Sequence, residues 1–138
     1  MRGKMPKRVR VLVIDDEVRD REFAGAILQT SGYEVQHAGS GAHGLEQATA
    51  APPDVILLDV QMPGMDGFEV CRFLRRAPGT RKTPVIMITA SDDPALNSKA
   101  YAVGAQACVP KPLRGDALIA TIQAVGRASR QGIPPSDR

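Results

Sequence analysis

Residues 54–70 read DVILLDVQMPGMDGFEV. The run Val55 to Leu58 is apolar without interruption, which suits a strand buried on both faces at the centre of a parallel sheet. It ends on a carboxylate, Asp59. Pro63-Gly64 then supplies turn chemistry, and Asp66 can cap a helix running to about Arg76 with Phe68, Val70, Phe73 and Leu74 as its apolar side.

Working outward, the pattern repeats. Short apolar runs recur at Val9 to Ile14 (VRVLVI), Pro84 to Ile88 and Ala107 to Val109, rich in β-branched residues and separated by helical patterns. Tyr33 to Ala38 differs, because Tyr33, Val35 and His37 alternate with Glu34 and Gln36 as in a half-buried edge strand. Helices are expected from Val18 to Thr30, with Phe23, Ile27 and Leu28 at helical spacing and Gly32 as C-cap, and from Ser40 to Ala50. Two more run from Pro94 to Val103, stopping at Gly104, and from Leu113 to about Ala128. Five strands alternating with five helices define a doubly wound α/β fold. Pro110 cannot donate to a sheet ladder, so the fifth strand belongs at one edge, and the alternating second strand belongs at the other. The order 2-1-3-4-5, flavodoxin-like, satisfies both constraints and places ligands at the carboxyl ends of the strands.

A chain of 138 residues with 43% hydrophobic and 24% charged residues has room for one domain. We expect a flexible basic arm at 1–7, a domain at 8–129 and a flexible tail at 130–138. Cys71 and Cys108 are too few for a disulfide framework and read as buried thiols in a reducing compartment. No apolar run approaches the roughly 20 residues of a membrane span, and the basic start MRGKMPKRVR lacks a signal-peptide core, so a cytoplasmic protein without membrane contact is expected. The net charge of +3 is segregated, with bases in the first ten residues and acids between Asp15 and Glu22. Without tryptophan or a binding motif, the arm reads as solvated and direct nucleic-acid binding is not expected.

The strand ends collect chemistry at one edge: Asp15 and Asp16 after the first, Asp59 after the third, Thr89 after the fourth and Lys111 after the fifth. Three carboxylates in one crevice repel unless a cation or raised pKa values relieve them. Magnesium suits such an oxygen-only site, whereas zinc would want histidine or cysteine. An exposed aspartate beside magnesium, a lysine and a hydroxyl is also what an acyl-phosphate intermediate needs.

Taken together, VLVIDDE, LLDVQMPGMDGFEV, VIMITAS and VPKP resemble the receiver domains of two-component response regulators, over about Arg8 to Ala128. The resemblance implies a stand-alone, single-domain phosphorylation-activated receiver with Asp59 as phosphoacceptor. It implies magnesium held by Asp15, Asp16, Asp59 and the backbone carbonyl of Gln61, with Thr89 and Lys111 contacting the phosphoryl group and a cis bond before Pro112. It also implies a sensor histidine kinase or histidine phosphotransfer protein as donor, and a downstream protein on the face of the fourth helix, fifth strand and fifth helix. No output domain follows the fifth helix, so signalling through a partner, or membership of a longer regulator, is expected. Three residues before the lysine, where receivers usually carry tyrosine or phenylalanine, stands Cys108. Tyr101, on the helix turn expected to face the fifth strand, is the candidate to fill that space.

Three rival readings compete with this one. Gly39 to Gly44 matches the dinucleotide fingerprint G-x-G-x-x-G with Asp59 twenty residues on, but that site needs its strand at the sheet centre. A phosphatase of haloacid-dehalogenase type shares the aspartyl-phosphate chemistry, yet would carry a second aspartate where this chain has Gln61. A degenerate receiver, binding partners without phosphorylation, would not require all five site residues. No turnover enzyme is expected. His37 and His43 read as surface residues, and Arg72, Arg75 and Arg76, with Arg81 and Lys82, as cations opposing a helix dipole.

Overall fold

The computed structural model describes residues 8–130; the basic arm at 1–7 and the tail from 131 onward lie outside the described residues. Strands β1 (Arg10–Ile14), β2 (Glu34–Ala38), β3 (Val55–Asp59), β4 (Val85–Thr89) and β5 (Ala107–Pro110) alternate with helices α1 (Val18–Thr30), α2 (Gly41–Ala50), α3 (Gly67–Arg76), α4 (Pro94–Ala102) and α5 (Gly115–Arg130). All strand pairs are parallel and the sheet order is β2-β1-β3-β4-β5, as the two edge arguments require.

Side chains of a strand alternate between faces, and here both faces are covered. Leu12, Ile14, Ile56, Leu58, Val85 and Met87 pack with Ala48, Phe68, Cys71, Leu74 and Ala100 of α2, α3 and α4. Their neighbours Val11, Val13, Val55, Leu57, Ile86 and Ile88 pack on Ala24 and Leu28 of α1 and on Leu118, Ile122 and Val125 of α5. Each large side chain withdrawn from water in these two layers contributes about 1.5–3 kcal/mol. Together they fix the strand ends that carry the polar residues.

The helix boundaries follow from local chemistry. Asp66 caps α3 by accepting a hydrogen bond from the Glu69 N–H at 2.9 Å, and the Glu69 carboxylate accepts one from the Asp66 N–H at 3.1 Å. Helices α1 and α4 both close on a glycine with positive φ, Gly32 at 92° and Gly104 at 107°. In each case the glycine N–H and the N–H after it reach back to the last turn, as a Schellman cap does. Helix α5 begins at Gly115, not Leu113, because Leu113 packs against the α1/α5 core layer from the preceding loop.

Three aromatic assignments change. Phe73, expected on the apolar side of α3, is 47% exposed, and Phe23 of α1 is 53% exposed. The buried residues of α3 are Gly67, Phe68, Val70, Cys71 and Leu74, a face that turns Phe73 away. Tyr101 is 54% exposed and fills no space behind Thr89. The glycines of the fingerprint-like segment serve packing: a Cβ on Gly41 would stand 2.7 Å from Val70, and one on Gly44 would overlap the Ile14 side chain. Among the described residues, no helix is long and apolar enough to cross a membrane.

Candidate functional site

The parallel sheet brings five expected residues to one edge. Asp15 and Asp16 follow β1, Asp59 closes β3, Thr89 closes β4 and Lys111 follows β5. Asp15, Asp59 and Thr89 are nearly inaccessible, at 4%, 3% and 2% exposure, although each lies where a loop begins. Carboxylate oxygens of Asp15, Asp16 and Asp59 approach one another within 4.8 Å.

The backbone around the acidic pair is pinned. The Asp15 N–H donates to the Ala38 carbonyl at 3.1 Å, its carboxylate accepts the Glu17 N–H at 2.9 Å, and its carbonyl accepts from the Arg21 guanidinium at 2.6 Å. On β3, the loop returns so closely that a Cβ on Gly67 would sit 2.9 Å from the Val60 Cα. Only glycine fits there. The Gly67 N–H bonds the Val60 carbonyl at 3.0 Å, which anchors the start of α3 beside Asp59.

Burial and the neighbouring Asp15 push the Asp59 carboxyl up to about 7, against the opposing pull of Lys111, with Asp16 adding to the rise. Lys111 Nζ lies 3.3 Å from Asp59 Oδ1 and 3.3 Å from Asp15 Oδ2. Burial alone would lower this ammonium, but the carboxylates of Asp20, Asp59 and Asp15 hold it above its ordinary value. One lysine thus faces a surplus of negative charge.

Thr89 and Lys111 are tied by backbone, since the Lys111 N–H donates to the Thr89 carbonyl at 2.8 Å. The peptide bond between Lys111 and Pro112 is cis. The Thr89 hydroxyl accepts the Ser91 N–H at 3.1 Å, and the Gln61 side-chain amide lies across it with Nε2 at 3.1 Å and Oε1 at 3.3 Å. Cys108 is partly buried against the α2/α3/α4 core layer.

Two contacts escaped sequence reasoning. Asp20 of α1 makes the shortest bond to Lys111, 2.8 Å from its Oδ2 to Nζ. Its one signal was its place in the acidic run after β1. Arg75, assigned to the α3 dipole, instead spends its five donors on four acceptors: the carbonyls of Gly104, Thr80 and Arg81 and the side chain of Gln106.

Chemically, the edge offers a hard, all-oxygen donor set beside a buried carboxylate, a hydroxyl and an ammonium. That combination suits a divalent cation and a phosphoryl group.

Comparison with known proteins agrees. The family model for the response regulator receiver domain matches residues 11–123. Response regulator PleD of Caulobacter vibrioides is 41% identical over 118 residues, covering 86% of this chain and 26% of PleD. Response regulator MprA of Mycobacterium tuberculosis is 37% identical over 123 residues, covering 88% of this chain and 52% of MprA. The chain therefore spans about a quarter to a half of these relatives. The structure of the Vibrio cholerae chemotaxis protein CheY4 superposes with a TM-score of 0.82 at 36% identity, covering 86% of this chain and 99% of that one.

Proposed function

Because the chain belongs to the response regulator receiver domains of two-component systems, we propose that it is a signalling switch in which Asp59 accepts a phosphoryl group with the help of Mg2+. The convergence of Asp15, Asp16 and Asp59 beside Lys111, with Thr89 on the neighbouring strand, is the observation that carries this reading.

Magnesium fits the residues present. The donors are all oxygen, carboxylate oxygens of Asp15, Asp16 and Asp59 lie within 4.8 Å of one another, and burial together with the neighbouring Asp15 raises the Asp59 carboxyl. Asp15, Asp16, Asp59 and the backbone carbonyl of Gln61 would hold the ion. When bound, it neutralises the carboxylates and offsets charge on the phosphoryl oxygens.

Within that frame the chain's own groups divide the work. An ionised oxygen of Asp59 attacks phosphorus, and the bond to the donor breaks with its electron pair leaving on acetate or on a histidine imidazole. Lys111 favours the ionised form of Asp59 against the burial that raises it and pairs with an equatorial oxygen, while the Thr89 hydroxyl donates to another. The chemistry is self-phosphorylation and dephosphorylation, not turnover of a separate substrate.

The donor we propose is a sensor histidine kinase or a histidine phosphotransfer protein, and the reader is a downstream protein on the α4/β5/α5 face. Cytoplasmic residence belongs to the same reading, supported by the two free thiols. The receiver unit is taken as 8–129, with flanking arms at 1–7 and 130–138. Intact-mass spectrometry after treatment with acetyl phosphate and Mg2+ tests the assignment: the protein gains one phosphoryl group and Asp59→Asn gains none. Uptake by Asp59→Asn overturns it.

A further inference from the structure

The Lys111 ammonium has three N–H donors and three carboxylates around it. Asp15 and Asp59 stand at 3.3 Å, Asp20 at 2.8 Å. Asp20 differs from the other two in kind. It belongs to α1 and not to a strand end, its side chain is 46% exposed, and it is no member of the group Asp15, Asp16 and Asp59 that can hold an ion. A cation held by those three would compete with Lys111 for Asp15 and Asp59 but would leave the bond to Asp20 in place.

We propose that Asp20 is a positioning residue that restrains phosphorylation by holding Lys111 toward α1, so that a phosphoryl oxygen on Asp59 must displace its carboxylate to gain the ammonium. The inference rests on the reading of Asp59 as phosphoacceptor. Two effects point the same way. The short bond occupies a donor that the phosphoryl group needs, and the Asp20 charge partly cancels the cation that should attract a phosphoryl anion. Removing the charge while keeping the shape should therefore favour the phosphorylated state.

Asp20→Asn suits the test because the position is half-exposed and helical, so the fold should survive, as a melting curve would verify. With acetyl phosphate and saturating Mg2+, the variant is expected to take up phosphoryl groups about three- to tenfold faster than the parent, the range set by one charge-assisted bond at a partly exposed site. Asp20→Glu, which restores the carboxylate, should return the rate toward that of the parent. A second readout needs neither metal nor donor: nitrogen-15 NMR of the metal-free protein should show the Lys111 ammonium protons exchanging faster with water in Asp20→Asn. An unchanged or slower uptake rate overturns the proposal, as does unchanged ammonium exchange. Failure of the parent itself to take up the group would strike the reading of Asp59 and not the role of Asp20.

Discussion

Two charged sites lie at opposite ends of the sheet, and they handle burial differently. At the amino end, the Arg75 guanidinium is held below its ordinary pKa by burial, offset by Cys71, and among the described residues no carboxylate pairs with it. It bonds the Gly104 carbonyl from Nε and Nη2, those of Thr80 and Arg81 from Nη1, and Gln106 Oε1 from Nη2, at 2.8–3.2 Å. All five donors are satisfied. Gln106 Oε1 also accepts the Val85 N–H at 2.7 Å, so the cluster ties α3 to the starts of β4 and β5. At the carboxyl end, Asp15, Asp59 and Asp20 share one ammonium, with the Asp16 carboxylate beside Asp15 and Asp59. A satisfied buried charge is a structural fastener, whereas an unsatisfied one keeps free energy available for a ligand to release.

The largest expected effect falls on the fastener. Arg75→Ala strips partners from several partly buried acceptors and should destabilise the fold by about 3–4 kcal/mol. Urea unfolding would measure it, and the loss should be the same with and without Mg2+. A loss that Mg2+ repairs would break the contrast between the two ends.

Next comes the pH dependence of the unrelieved site. The Asp59 carboxyl titrates near 7 in the fold against an ordinary value of 3.8, so the folded state holds its proton longer than the unfolded one. Its contribution to stability is neutral below about pH 4, worsens as pH rises through that window and reaches its full penalty above about 7. Metal-free Asp59→Asn should therefore exceed the parent by roughly 2–4 kcal/mol at pH 8 and by little at pH 4. His37, lowered by burial and Arg21 against a rise from Glu22, contributes a slope of opposite sign near neutrality. The difference between the two proteins removes that contribution.

Magnesium should then sharpen the comparison at neutral pH. A hundredfold excess over the dissociation constant adds about 2.7 kcal/mol by linkage. Asp16→Asn should melt higher than the parent without metal and gain less from it, as calorimetry would show. A lower melting temperature without metal would mean that Asp16 is held by bonds rather than strained by its neighbours. The smallest effect belongs to the exposed aromatics: Phe73→Ser should change unfolding free energy by about 0.5 kcal/mol or less.

The sequence made the strand order and the five residues at the carboxyl edge legible because both follow from short-range pattern. An apolar run ends on a polar residue, and parallel pairing carries that residue to the common edge. What stayed hidden depends on distance along the chain. Asp20 meets Lys111 across 91 residues, and Gln61 covers Thr89 across 28, so no local window contains either pair. Arg75 looked like an ordinary helix-end cation because three of its four acceptors are backbone carbonyls, which every residue has. Phe23 and Phe73 carried the right periodicity for burial, but periodicity gives the direction of a side chain and not how far the covering layer extends.

The backbone bond from Lys111 to the Thr89 carbonyl has a mechanical consequence. The ends of β4 and β5 are clamped at that point, so the backbones that carry the hydroxyl and the ammonium move together. Strand β3 is braced by neighbours on both sides, whereas β5 is braced by β4 alone. The sheet is thus stiff where Asp59 sits and compliant at the rim beyond Lys111. A load applied to Thr89 is delivered as displacement of that rim.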